Sequence, residues 1–202
     1  MGHSRCRFLL ATIYTIGHST RSFDELVRAL EGHAITTLVD IRAFPMSRRM
    51  PHFNQESLEI GLPPRGIAYV WMKELGGRRK KILQQSPNTA LRNESFRNYA
   101  DYMMTEEFKP GIEKLLSIAS HGIAPTLSPR RVEDGATNRV AIMCAERMYF
   151  ECHRMLVSDY LVAHEHTVLH IDDEKRSPRK HTLMAEARLV EGRLVYDGGR
   201  LL

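Results

Sequence analysis

A chain of 202 residues, 43% apolar and 26% charged with a formal charge of +5, can bury one good core and is too apolar for a disordered protein. Its apolar runs are strand-length, which excludes a membrane-spanning helix, and the short piece Phe8–Ala11 behind Arg5 and Arg7 makes no signal peptide. Three cysteines make no disulfide framework, so the expectation is one domain in a reducing cytoplasm.

In chain order, a first strand is predicted at Thr12–Ile16, followed by the turn Gly17-His18-Ser19-Thr20. Ser22 and Glu25 form a capping box for a helix through Leu30, whose apolar stripe is Leu26, Ala29 and Leu30. A second strand covers Thr36–Ile41, a long loop Arg42–Asn54 contains two prolines, and a short helix covers Gln55–Leu62. The third strand is Ala68–Met72, ahead of the Gly76-Gly77 loop. Helices follow at Glu94–Met104 and Glu107–Ala119, and residues 121–138 read as an irregular insertion. The fourth strand is Arg139–Met143, a helix covers Phe150–Ala163, and the fifth strand is Thr167–Ile171. His164 and His166 read as exposed residues at a helix end, and Arg188–Tyr196 as a hairpin turning at Glu191-Gly192. Strands alternating with helices predict a single α/β domain: a mainly parallel five-stranded sheet flanked by helices, with a small C-terminal hairpin.

In a parallel sheet the C-terminal strand ends share one edge, where ligands bind. That edge would collect Gly17-His18-Ser19, Asp40 and Arg42, Cys144 and Glu146, and His170. Residues 143–154 place a thiol and a carboxylate after a buried strand, then Cys152, His153 and Arg154 at a helix start. Cys144 is read either as a nucleophile whose pKa a helix N-terminus, His153 or Arg154 would lower, or as a small buried thiol packing at a strand end, with Cys152 structural or a resolving thiol. Glu146 and Asp40 are the proton-moving carboxylates, and Asp40 is equally readable as half of an ion pair with Arg42. His18, Ser19, Arg42, Arg48, Arg78 and Arg154 are candidate anion binders, with Asn54 nearby in the Arg42–Asn54 loop. The C-x7-C-H spacing of Cys144, Cys152 and His153 matches no zinc knuckle, so neither a metal nor a cofactor is expected.

Several runs carry a family resemblance: Tyr14-Thr15-Ile16-Gly17-His18-Ser19, then Leu38-Val39-Asp40-Ile41-Arg42 leading to Pro45, Ser47-Arg48 and Pro51-His52-Phe53-Asn54. Leu75-Gly76-Gly77-Arg78, Phe96 with Tyr99-Ala100, Cys144-Ala145-Glu146, Cys152-His153-Arg154 and His170-Ile171 continue it in order. Together they resemble the domain of unknown function 488 family. The resemblance implies a compact α/β domain with its core at 12–172 and supports these site positions, but implies no reaction. The stretch 121–138 is longer than the family's usual link, and 173–202 reads as a C-terminal extension outside the pattern. Leu38–Arg42 with a later cysteine also resembles a rhodanese strand, although no glycine lies between Ala145 and Phe150 to wrap a persulfide.

Three basic clusters, Arg42 with Arg48-Arg49, Arg78–Lys81 and Lys175–Lys180, suit an anionic partner. The expected function is binding of a phosphate-bearing, nucleotide-like small molecule or a nucleic acid at the sheet edge, by a cysteine-dependent hydrolase or transferase. A non-catalytic nucleic-acid module and a rhodanese-like sulfurtransferase are the alternatives.

Overall fold

The computed structural model of the chain describes residues 10–122 and 138–199. Its centre is a six-stranded sheet in the order β3-β2-β4-β1-β5-β6. The strands are β1 (Thr12–Gly17), β2 (Thr37–Asp40), β3 (Ala68–Trp71), β4 (Val140–Cys144), β5 (Thr167–Ile171) and β6 (Arg179–Lys180). The first five run parallel, as their near-continuous apolar sequences require, and β6 adds to β5 antiparallel as a short edge. The sequence reading stopped at five strands because two charged residues carry no strand signal. They pair only because the chain returns past His170.

Alternation along the strands sorts two cores onto the two faces. Tyr14, Ile16, Leu38, Ala141 and Met143 pack with α1 (Phe23–Gly32) and α2 (Gln55–Gly61). Ile13, Val39, Ile41, Val140 and Ile142 pack beneath α3 (Glu94–Met103), α4 (Lys109–His121) and α5 (Arg154–Ala163). The capping box holds as read: Ser22 Oγ accepts from Glu25 N at 3.2 Å and the Glu25 carboxylate accepts from Ser22 N at 2.6 Å. The α3 start is capped by Asn93, which accepts from Ser95 N and Phe96 N.

Because α1 leaves β1 toward one face and α5 leaves β4 toward the other, the crevice between these neighbouring strands is a topological switch point. Gly17 and Cys144 face each other in register there.

The helix read as Phe150–Ala163 begins only at Arg154. Tyr149–Glu151 form a 3-10 turn and Cys152 is extended, with φ −141° and ψ 171°. Cys152 therefore precedes the helix and points back toward β4. His166 is also corrected: it is buried, and its Nδ1 accepts from Ala11 N at 3.2 Å.

The C-terminal residues are no loose appendage. Strands β7 (Ala187–Val190) and β8 (Arg193–Tyr196) form the expected hairpin, whose Leu194 and Tyr196 join the core under α3 and α5. Of the segment read as an insertion, residues 123–137 lie outside the described residues, as does the N-terminal stretch through Leu9 that holds Cys6. No helix among the described residues is long and apolar enough to cross a membrane.

Candidate functional site

A cleft of about 530 Å³ opens over the C-terminal ends of β2 and β4. Its floor is Cys144, Cys152 and His153, its walls include His18, Arg42, Phe44, Met46, Arg78 and Phe96, and Glu146 and Glu151 stand at its rim. Loops remote in sequence thus meet around two sulfur atoms.

The floor is built on Gly17. A Cβ at this position would lie 1.8 Å from the Glu146 carbonyl oxygen and 2.8 Å from Arg154 Nη2, so only glycine lets the turn after β4 close over β1. The amides expected to attract an anion are already engaged. His18 N donates to Cys144 O at 3.0 Å and Ser19 N donates to Ala145 O at 2.9 Å. Ser19 is not among the cleft-lining residues, and these two amides act as a backbone clamp that fixes the β4 turn.

Arg154 is the largest fully buried side chain, and it organises the floor. Its Nε donates to Cys144 Sγ at 3.1 Å and to Cys152 Sγ at 3.3 Å. Nη2 donates to the carbonyls of Glu146 (2.6 Å) and Arg147 (3.0 Å), and Nη1 donates to Thr15 Oγ1 at 3.3 Å. With four of its five N–H groups committed, this arginine serves the sulfurs and the turn rather than a ligand.

The sulfurs lie 2.6 Å apart and titrate as one unit. Burial, with Cys152 as hydrogen-bond partner and neighbouring charge, pushes the Cys144 thiol well up. For Cys152 burial acts in the same sense, but the hydrogen bonds from Cys144 and His153 and the charge of Arg154 outweigh it and hold its thiol well down. The two sulfurs and the Arg154 guanidinium thus form one buried cluster, in which Cys152 is the sulfur whose charged form is favoured. His153 Nε2 donates to Ile41 O at 2.9 Å, and its ring lies where a Cβ on Gly77 would be 2.3 Å from Nδ1, so Gly77 makes room for the imidazole. The donor atoms of Cys144, Cys152 and His153 lie within 4.8 Å of one another, and Arg154 already supplies a positive charge to both sulfurs.

From Arg154 a buried chain leads away from the cleft. Thr15 Oγ1, accepting from Arg154, donates to His170 Nδ1 at 2.8 Å. His170 Nε2 then donates to His181 Nδ1 at 2.9 Å, and His181 Nε2 donates to Asp159 Oδ1 at 2.9 Å. Tyr196 OH and Met184 N complete the Asp159 carboxylate. The Asp159 carboxylate can only accept, and neutral imidazoles running toward it carry their hydrogen on Nε2. Tyr149 stacks on His170 with ring centroids 3.6 Å apart. Sequence reasoning placed His170 at the edge but missed Thr15, Asp159 and His181. A threonine inside the apolar β1 run and an aspartate inside the apolar α5 run were the available signals.

On the opposite wall, Asp40 is fully buried and saturated. It accepts from Arg42 Nε at 2.9 and 3.0 Å, from Arg42 Nη2 at 2.5 Å, from Arg42 N at 3.0 Å and from Tyr69 OH at 2.8 Å. This is the ion-pair reading of Asp40, and its carboxylate has no free lone pair with which to take a substrate proton. Burial opposes the charge of Arg42, yet the hydrogen bonds and charge of Asp40 prevail and raise its pKa. Arg42 Nη2 also donates to Phe53 O at 2.7 Å and Nη1 to His18 Nε2 at 3.3 Å, which leaves one Nη1 donor for the cleft.

The other sequence candidates divide. Arg78 and Glu146 are exposed and line the cleft, with Arg78 5.9 Å above the Phe44 ring. Arg48 is exposed and not among the lining residues. Asn54 accepts from Ser47 N at 2.6 Å and holds the Arg42–Asn54 loop closed.

Two buried histidines tie this geometry to pH. Burial, then the charge of Arg42, lowers His18 to about 4. Burial, then His181 and Arg154, lowers His170 to about 3. The unfolded chain binds these protons near pH 6.5 while the folded chain refuses them, so stability is complete above that pH and falls as pH drops toward 4. At about 1.4 kcal/mol per tenfold change in proton affinity, His18 alone contributes about 3 kcal/mol. Urea midpoints should therefore fall between pH 7 and 4.5, and His18→Gln should flatten the dependence. A midpoint constant over that range in the wild type would contradict this account.

The fold is a single α/β domain with a mostly parallel sheet and a cleft at the C-terminal ends of its strands. A family model described as a domain of unknown function, DUF488, matches residues 22–130, and the chain belongs to that family. The matched stretch holds Asp40, Arg42, Arg48, Asn54 and Arg78, while the sulfurs and Arg154 lie beyond it. No curated protein and no solved structure matches the chain.

Proposed function

We propose that the protein is a cysteine-dependent hydrolase or transferase acting on a small molecule that carries one anionic group, a phosphate in this reading. The observation that carries the proposal is the adjacent sulfur pair under Arg154 on the floor of an open cleft. Cys152 thiolate attacks the electrophilic centre, a bond from sulfur forms as the leaving group departs, and the Cys144 thiol beside it supplies the leaving group's proton. Water or a second acceptor then releases the group from sulfur. The nucleophile thus moves from Cys144, the sequence candidate, to Cys152, with Cys144 as the hydrogen-bond donor that stabilises the thiolate.

The charges of the cleft favour a small ligand over a nucleic acid. Arg42 is neutralised by Asp40, so Arg78 is the free cation among the lining residues, against Glu146 and Glu151. Phe44, Met46 and Phe96 offer apolar contact to the remainder of the molecule. The sulfurtransferase reading is weaker, because the amides of Glu151 and Cys152 are spent on the Met148 and Tyr149 carbonyls instead of cradling a persulfide.

Iodoacetamide labelling of Cys152 across pH tests the reading. The expected midpoint lies clearly below the free-thiol value of about 8.5, and adenosine monophosphate should slow labelling in the wild type but less in Arg78→Ala. A midpoint at or above the free-thiol value removes the nucleophile.

A further inference from the structure

Cys144 Sγ and Cys152 Sγ lie 2.6 Å apart, against about 2.05 Å for a disulfide bond. The turn joining them is pinned at both ends: His18 and Ser19 clamp its start, and Arg154 Nη2 holds the Glu146 and Arg147 carbonyls. The sulfurs are therefore held together before any oxidation, by contacts that do not involve a bond between them.

We propose that this pair is also a two-electron redox centre that reduces alkyl hydroperoxides, with Cys152 as the attacking sulfur and Cys144 as the resolving sulfur. The proposal rests on the Cys152 thiolate of the preceding reading and adds a second substrate class for it. An alkyl hydroperoxide is small and uncharged, so it passes the carboxylates of Glu146 and Glu151 at the rim, and its alkyl group meets Phe44, Met46 and Phe96.

In the first step Cys152 thiolate attacks the terminal peroxide oxygen and the O–O bond breaks. The departing alkoxide takes the proton of Cys144 and leaves as the alcohol. Cys152 is now a sulfenic acid and Cys144 a thiolate. In the second step Cys144 attacks the Cys152 sulfur, the S–O bond breaks, and hydroxide leaves as water with a proton from solvent. The two sulfurs have lost two electrons and the two peroxide oxygens have gained them. A small dithiol then returns the pair to its starting state by thiol–disulfide exchange. The thiol proton of Cys144 is what the first step consumes, and its loss creates the nucleophile of the second.

The test uses the full chain with Cys6→Ser, so that these two are its only cysteines, reduced beforehand and kept in EDTA. One equivalent of tert-butyl hydroperoxide should remove both thiols, lower the intact mass by two hydrogens, and be reversed by dithiothreitol. Adding Cys144→Ser should stop the reaction at Cys152 sulfenic acid, captured by dimedone; Cys144→Ala serves if the serine variant does not fold. Adding Cys152→Ser should leave the protein unchanged at the same dose. If Cys152 alkylates at neutral pH but both thiols survive the hydroperoxide, the redox proposal is overturned and the nucleophile reading stands. If Cys152 resists both reagents, both are overturned.

Discussion

Arg154→Leu is expected to lose about 3–5 kcal/mol of stability, the range for removing one partner of a buried ionic contact. The substitution strips the hydrogen bonds from Cys144, Cys152, Thr15 and two carbonyls, and all of these sit where water does not replace them. The charged sulfur would take up a proton rather than remain uncompensated. Labelling of Cys152 at neutral pH should therefore fall by at least about tenfold, the change that follows from a one-unit rise in thiol pKa. Arg154→Lys separates charge from shape, since an ammonium keeps the charge but not the planar fork that spans sulfur and carbonyl together. It should retain more of the stability than of the labelling rate. A folded Arg154→Leu protein with the wild-type labelling profile would show that the guanidinium is packing material only.

Among the described glycines, Gly17→Ala should be the most damaging change. The added carbon would meet the Glu146 carbonyl oxygen at 1.8 Å and the Arg147 carbonyl oxygen at 2.8 Å, and both belong to backbone that two further hydrogen bonds clamp in place. Relief requires the whole turn after β4 to lift, which also pulls the carbonyls from Arg154. A cost at or above the upper end of the usual overpacking range, about 3 kcal/mol, is expected in urea unfolding, together with loss of Cys152 labelling. Gly192→Ala is the matching control: it lies at φ +77° with nothing within 4 Å of its Cβ, so it should lose only about 1 kcal/mol from its left-handed backbone. Equal melting temperatures for the two variants would contradict the packing argument.

The parallel sheet was legible because its strands are short apolar runs separated by helical patterns, a signal local enough to read without partners. Cys144, Glu146 and Arg42 were legible for a related reason, since residues after parallel strands must share one edge. What each group does there was not legible, because it depends on contacts between residues far apart in sequence. For Asp40 the sequence leaves a proton carrier and an ion-pair partner equally open, and Tyr69, which takes one of its oxygens, lies 29 positions away. Cys152 reads from sequence as the first turn of a helix, and only the break before α5 turns it toward Cys144, where the Arg154 amide also donates to it at 3.3 Å. The closing segment after Ile171 was set aside as an extension, since no periodicity announces that His181 would complete a buried chain.

That chain binds distant parts of the gene product to a common fate. Its links pass from α5 through β1 and β5 to the strand-forming tail, so the Arg154 that touches both sulfurs is joined by hydrogen bonds to His181. A random-mutagenesis screen scored on thiol reactivity would consequently gather hits from the last thirty residues as well as from the cleft. The tail cannot be exchanged between relatives as an independent module unless its acceptor for His170 travels with it.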